Sequence, residues 1–143
     1  MFDIDSCVAF IAKDAAKVIT DAFNDQLSAL GITRVQWTAL YYLGRYQSLS
    51  QTELADNMHT KASSIVRLID RMERDGYVER VRLPEDRRVS ILKLTENGLR
   101  LWEEVLPEGE KFSRTLSYNL TEEESQCFKR VLDKMMNNLR GEK

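Results

Sequence analysis

The hydrophobic period of the chain changes at Gly76, and this change constrains the fold more than any other feature. Before it, the apolar residues of segment 61–75 repeat at the three- and four-residue spacing of an amphipathic helix. After it, residues 77–83 and 88–94 form two short runs of β-branched and aliphatic side chains, with the polar segment 84–87 between them. The sequence therefore predicts a helix that stops at Gly76 and is followed by a β-hairpin with an exposed, charged tip.

Capping boxes mark the start of three other helices. The pattern begins at Thr33, Ser50 and Thr121, each with Gln or Glu three residues later and an apolar-periodic segment beyond. Pro107 and Gly109 are expected to kink or interrupt the fifth helix of the chain. The six helices predicted in this way span about 6–30, 35–45, 51–58, 61–75, a segment that starts after Thr95, and 122–139.

The order of these elements predicts a mainly α-helical fold with a small β-hairpin wing. Over residues 50–94 a short helix, a turn, a second helix and the hairpin follow one another, which is the pattern of a winged helix-turn-helix. The length of 143 residues suits a single domain over 1–143. The first helix carries apolar side chains on about half of its circumference. This width favours burial against a partner helix, with ordinary core packing as the alternative.

Charge is distributed unevenly along the chain. The whole chain has 21 basic and 23 acidic side chains, and its net charge of −2 argues by itself against nucleic-acid binding. Residues 61–100, however, hold more basic than acidic side chains, whereas both ends of the chain are acidic. A local basic surface can therefore bind phosphates although the chain as a whole is acidic.

Segment 61–75 has two faces of different chemistry. Four apolar side chains fall within an arc of about 100°, namely Ile65, Leu68, Ile69 and Met72. Two hydroxyls and three arginines fall within a separate arc of about 80°, namely those of Thr60, Ser64, Arg67, Arg71 and Arg74. Hydroxyls and a helix N-terminus suit phosphate oxygens, and arginine offers a planar fork to guanine edges and to phosphate. Acidic residues on the same helix also fit an ordinary solvated face, but the adjoining hairpin favours contact with double-stranded DNA. The residues expected to contact DNA are Thr60, Lys61, Ser63, Ser64, Arg67, Arg71, Arg74, Arg87 and Arg88.

The hairpin tip places basic side chains at the end of the wing. Arg87 and Arg88 can there enter a narrow minor groove, where the negative potential is enhanced. An ordinary polar turn is the alternative. Asp70 of the preceding helix is also placed to pair with an arginine of the wing, which would fix the wing against that helix.

The two basic elements resemble the recognition helix and the wing of the MarR family of regulators. The stretch 63–78 is similar to that family's recognition helix, and 86–95 matches its wing signature, D-x-R-x5-L-T. The resemblance covers nearly the whole chain and implies a homodimeric winged helix-turn-helix protein that binds a pseudo-palindromic operator, usually as a repressor. It implies that Arg88 reads the minor groove and that the major-groove helix acts through Ser63, Ser64 and Arg67.

The resemblance also divides the chain by role. Residues 33–95 would form the winged helix-turn-helix DNA-binding lobe. Residues 1–32 and 96–143 would form a helical dimerisation region, because the N- and C-terminal helices make the dimer in that family. Dimerisation would explain the wide apolar face of the first helix.

Release by a small-molecule effector is a further implication of the resemblance. Many members bind a small aromatic or phenolic ligand between the dimer helices and the DNA-binding lobe. Trp37 and Tyr41 are candidates to line such a site, with ordinary core aromatics as the alternative. The full set expected is Phe10, Arg34, Trp37 and Tyr41, with Arg34 facing an anion.

Some members of the family sense oxidants through a cysteine in the first helix, and Cys7 lies in that region. Ala9 lies nearer the expected register, however, and Arg34 stands where that branch favours tyrosine. A free thiol without a redox role is therefore the favoured interpretation of Cys7.

Several classes of protein have no support in the sequence. Two cysteines at opposite ends and a single histidine leave no metal spacing, and the sequence has no nucleophile motif or glycine-rich phosphate loop. We therefore expect no enzyme activity, no cofactor and no metal. Without a basic leader or a long apolar run, we expect a cytoplasmic protein with no membrane contact. A winged helix module that binds a protein instead of DNA is the alternative, and the salt dependence of binding separates the two.

Overall fold

The computed structural model describes residues 1–141 and confirms a mainly helical fold with a small antiparallel sheet. After one turn of 3-10 helix at Ile4–Ser6, these residues form α1 (Val8–Ser28), α2 (Arg34–Tyr46), β1 (Leu49–Ser50), α3 (Gln51–Asn57), α4 (Ala62–Arg74), β2 (Val78–Leu83), β3 (Asp86–Leu94), α5 (Glu96–Leu116) and α6 (Glu122–Arg140). The chain divides into two compact units, of which the first covers Met1–Glu110 and the second begins at Lys111.

All three predicted capping boxes are formed. At the start of α2, the Thr33 hydroxyl accepts the N–H of Gln36 at 3.2 Å, and the Gln36 side chain accepts the N–H of Thr33 at 2.9 Å. Ser50 caps α3 in the same way, and Thr121 caps α6. The backbone N–H of Thr121 donates to Glu124 and lowers the pKa of that carboxyl. This contact therefore stabilises α6 at neutral pH and is lost as the pH falls through the lowered pKa.

The core of the first unit is built around α4. The four side chains of its predicted apolar face are all buried, namely Ile65, Leu68, Ile69 and Met72. Leu40 of α2, Leu54 of α3 and Leu92 of β3 are fully buried in the same unit. Burying an aliphatic side chain of this size contributes about 1.5–3 kcal/mol, so this face anchors α4 and leaves its polar face to solvent.

The sheet has the strand order β1–β3–β2, with both pairings antiparallel. The predicted hairpin is confirmed, although β3 begins at Asp86 and the turn is therefore shorter than the sequence indicated. The strand β1 was not predicted, because two residues are too few to show an alternating pattern. Leu49 pairs with Leu92, which ties the wing to the segment between α2 and α3.

The expected interruption of the fifth helix at Pro107 is wrong, because α5 is continuous from Glu96 to Leu116. Proline removes one backbone donor, and side chains from α1 and α2 hold carbonyls on either side of it. The indole Nε1 of Trp37 donates to the Val105 carbonyl at 2.8 Å. The Gln26 amide donates to the Glu108 carbonyl at 3.0 Å. These tertiary contacts hold the helix where the local sequence would weaken it.

Glycine permits close approach at two points of α5. A Cβ on Gly109 would overlap the ring of Trp37, so this glycine serves packing instead of ending the helix. A Cβ on Gly98 would overlap the backbone carbonyl oxygen of Tyr77, just before β2. A backbone oxygen cannot turn away as a flexible side chain can, so the second contact is the stricter one.

We therefore expect Gly98→Ala to destabilise the protein by on the order of 2 kcal/mol, although alanine is the better helix former. Urea unfolding followed by circular dichroism measures this change. Asn97→Ala, at the adjacent exposed position, is the control and should stay within about 0.5 kcal/mol. Equal stability of Gly98→Ala and wild type would contradict the close approach to Tyr77.

Candidate nucleic-acid interface

The polar face of α4 lies entirely at the surface. Thr60 and Lys61 immediately precede the helix, and Lys61 occupies the N-cap without a side-chain hydrogen bond to the first turn. Donors at this end of a helix favour anions, because the helix dipole is positive there. The predicted contact residues of this segment are all exposed: Thr60, Lys61, Ser63, Ser64, Arg67, Arg71 and Arg74.

Arg80 of β2 joins the wing to one flank of α4. Its side chain is only 20% exposed and forms ion pairs with Asp70 at 2.6 Å and with Glu73 at 2.8 Å. Its Nε also donates to the Gln51 side chain of α3 at 3.0 Å. The predicted pairing of Asp70 with a wing arginine is confirmed. The sequence contained a signal for Arg80 itself, since strand alternation puts it on the same face as the buried Val78.

These ion pairs separate the charges of α4. Asp70 and Glu73 are occupied by Arg80, and Asp75 lies 3.4 Å from Arg74. At helical spacing, Asp70 and Glu73 lie on a different flank from Arg67 and Arg71. The acidic residues that suited an ordinary solvated face are thus engaged in ion pairs, whereas Arg67 and Arg71 are exposed on the other flank of the helix.

The wing tip is held by hydrogen bonds within the hairpin. The Asp86 carboxylate accepts the backbone N–H of Arg88 at 3.0 Å and its Nε at 3.2 Å. Arg82 donates to the carbonyl of Arg87 at 3.0 Å. The Arg88 side chain is nevertheless 92% exposed, so the tip presents a guanidinium of restricted geometry to solvent.

The residues predicted to bind an effector do not share one pocket. Trp37 and Tyr41 stack with ring centroids 5.7 Å apart, and both line a pocket of about 410 Å³ beside Pro107. Arg34 lines a different pocket. Phe10 is exposed on α1 and packs edge-on against Phe2. The structure therefore brings together the two aromatic candidates and separates them from the arginine.

Cys7 is half-buried at the N-cap of α1, Cys127 is exposed, and both thiols are free. Within residues 1–141, no three side chains of the types His, Cys, Asp or Glu cluster closely enough to hold a metal ion. Over the same residues, every helix is too short or too polar to cross a membrane.

Together, α3, α4 and the hairpin define the protein as a winged helix-turn-helix protein. A family model described as the MarR family matches residues 32–90. The HTH-type transcriptional regulator YsmB of Bacillus subtilis is 30% identical over 128 residues, which cover 90% of this chain and 88% of YsmB.

Solved structures agree with this fold. A cysteine-to-serine mutant of E. coli MarR in complex with operator DNA superimposes with a TM-score of 0.81 and 26% identity, over 90% of this chain and 92% of that one. BpsR of Bordetella bronchiseptica superimposes with a TM-score of 0.86 at 20% identity, over 96% and 98% of the two chains. The chain belongs to the MarR family of HTH-type transcriptional regulators.

Replacing Arg80 tests whether its ion pairs hold the wing against α4. We expect Arg80→Met to lower the free energy of unfolding by about 1 kcal/mol, since Asp70 and Glu73 are partly exposed and solvent screens them. A double-mutant cycle with Asp70→Asn, measured by urea unfolding, isolates the pair, and its coupling should shrink in high salt. Lys93→Met, which removes one exposed positive charge from the neighbouring strand β3, is the control and should leave the stability within about 0.5 kcal/mol of wild type. Strictly additive effects in the cycle would exclude the bridge.

Proposed function

We propose that this protein is a homodimeric, sequence-specific DNA-binding repressor that a small-molecule effector releases from its operator. In this proposal α4 enters the major groove, and Arg88 at the wing tip enters the adjacent minor groove. The observation that carries the proposal is the charge separation on α4, where Arg80 occupies the carboxylates and the arginines remain exposed.

The exposed side chains of α4 suit two kinds of contact. Ser63 and Ser64 lie in the first turn, where hydroxyls and N–H groups can hold phosphate oxygens and so position the helix. Arg67 and Arg71 lie farther along the same face and can read the O6 and N7 atoms of guanine. The structure of the related E. coli MarR with operator DNA supports a role of this kind for the matching elements of this chain.

Apolar faces on both units support a homodimer. In α1 only Phe23 and Leu27 are buried, whereas Val8, Ile11 and Val18 are exposed. In the second unit, none of the residues of α6 is buried. Apolar patches of this kind in a water-soluble fold mark an interface. A second copy would cover them and would supply the twofold axis that a pseudo-palindromic operator requires.

The Trp37–Tyr41 pocket is the proposed effector site for a small aromatic or phenolic molecule. Its volume falls within the range of ligand pockets, and the stacked rings offer a flat apolar surface. An effector that binds better to a dimer whose recognition helices no longer match the operator would shift the population toward that state. The DNA binding of BpsR is regulated by 6-hydroxynicotinic acid, so such control is compatible with this fold.

Selection of bound duplexes from a random DNA pool, with the full-length protein, supplies the operator for the first functional test. We expect Arg88→Ala to weaken binding to the selected duplex by about 1–3 kcal/mol, because the minor-groove contact is lost. Arg67→Ala should have a similar cost and should also relax the preference for one base pair. Fluorescence anisotropy at fixed salt measures both.

Arg100→Ala is the matched control for these variants, because Arg100 is an exposed arginine of α5 outside the proposed interface. Its affinity should equal that of wild type. Wild-type affinity should fall steeply as salt rises, since phosphate contacts release counterions. Unchanged affinity in Arg88→Ala would refute the role of the wing, and a flat salt dependence would indicate a protein partner instead.

Dimerisation is tested on the exposed face of α1. We expect Val18→Glu to weaken the dimer at least about tenfold, because it buries a carboxylate in an apolar interface. Sedimentation equilibrium should give twice the chain mass of 16.6 kDa for wild type and a lower mass for the variant. Lys13→Gln changes the net charge equally on the opposite side of α1 and is the control. A monomeric wild type would overturn this part of the proposal.

A further inference from the structure

Val66 is an apolar side chain that α4 presents to solvent. The structure describes all of α4, and the other large apolar side chains of this helix are buried, namely Ile65, Leu68, Ile69 and Met72. Val66, by contrast, is 40% exposed. Valine also forms helices less readily than alanine does, because branching at Cβ restricts χ1. A single exposed apolar residue is common on a protein surface, so the location of Val66 is the informative property.

Val66 lies among the side chains that are proposed to contact base pairs. The helix α4 begins at Ala62, so Val66 is in the N-terminal half, which is the part of a recognition helix that meets base edges. At 100° per residue, Val66 is about 60° from Ser63 around the helix axis and about 100° from Arg67. The Val66 carbonyl accepts a hydrogen bond from Nη2 of Arg80 at 3.4 Å. Val66 is therefore on the flank of α4 that borders the wing.

Val66 and Ala62 form a short apolar strip beside the wing. Ala62 precedes Val66 by one helical turn and is also exposed. Asp70 follows Val66 by one turn, and its carboxylate lies 2.6 Å from Nη2 of Arg80, which offsets its negative charge. Two small side chains offer far less area than the roughly 800 Å² per partner of a stable protein interface. The strip therefore suits a small apolar group instead of the surface of a second protein.

We propose that Val66 contacts the C5-methyl group of a thymine in the major groove and so selects a T·A base pair at one position of each half-site. This inference rests on the proposed function and adds the identity of a base to it. Among the groups that define the base pairs in the major groove, the C5-methyl group of thymine is the apolar one. A cytosine at the same position would lack this methyl group and would present its N4 donor beside a side chain that cannot accept a hydrogen bond.

The shape of valine suits a contact whose geometry is fixed before DNA binds. A β-branched side chain in a helix has one strongly preferred χ1 rotamer, so the two methyl groups of Val66 have a defined direction. A side chain that is already ordered loses little conformational entropy when it is covered. Most of the free energy of burying the thymine methyl group is therefore available to distinguish thymine from the other bases.

Replacing thymine by deoxyuridine tests the contact, because it removes the methyl group and leaves the base pairing unchanged. The full-length protein is titrated with the duplex selected from the random pool, and each thymine of a half-site is replaced in turn. We expect replacement at one position to weaken wild-type binding about fourfold, which corresponds to the burial of one methyl group. Fluorescence anisotropy at fixed salt measures the affinity.

Val66→Ala removes the protein side of the same contact and should fold, because alanine is the better helix former. We expect it to bind the thymine duplex about fourfold more weakly than wild type and to bind the thymine and deoxyuridine duplexes equally. Val81→Ala is the matched control. Val81 is also 40% exposed and lies on β2, where strand alternation puts it on the opposite face from Arg80. This control should keep the full preference for thymine.

The same titrations separate this inference from the proposed function. If the selected duplex binds but contains no thymine whose replacement weakens binding, the DNA-binding role stands and the thymine contact is refuted. If Val66→Ala keeps the preference for thymine, another side chain contacts the methyl group and the role of Val66 is refuted. If no duplex is selected at all, the proposed function fails and this inference fails with it.

Discussion

The contact of Arg80 with the flank of α4 is the interaction on which the proposed DNA-binding surface depends. One guanidinium reaches Gln51 of α3, Asp70 and Glu73 of α4, and thereby ties both helices to β2. The bridge positions the wing, and its positive charge also offsets part of the negative charge that Asp70 and Glu73 place beside the arginines of α4. A single, largely buried side chain therefore influences both the position of the wing and the charge of the adjoining flank of α4.

The apolar surface of α4 is buried, whereas much of the apolar surface of α1 and α6 is exposed. On α4 it is buried within the first unit and anchors the helix whose other face meets solvent. On the N-terminal half of α1 and along α6 it stays exposed within the single chain. The free energy gained by burial is the same per unit area in both places. In the proposed homodimer a second copy would cover these exposed faces, and assembly would then set the symmetry of DNA recognition.

The features that the sequence predicted correctly are those that depend on residues only a few positions apart. Each capping box needs only a hydroxyl and a partner three residues on, and all three formed as expected. The pairing of Asp70 with the wing was also foreseen from its place on the helix. The continuity of α5 at Pro107 could not be predicted in this way, because it depends on Trp37, which lies about 70 residues away in sequence and donates to the Val105 carbonyl.

By itself, the sequence determined the amphipathic helix, the hairpin with its arginine tip, and the family to which both belong, because period, turn chemistry and motif spacing are local properties. Only the tertiary structure decided that Arg80 would hold the wing and that β1 would join the sheet. It also decided that Arg34 would face His59 instead of Trp37 and Tyr41. Which side chains meet across a pocket depends on how helices pack, and no pattern along one segment encodes that distance.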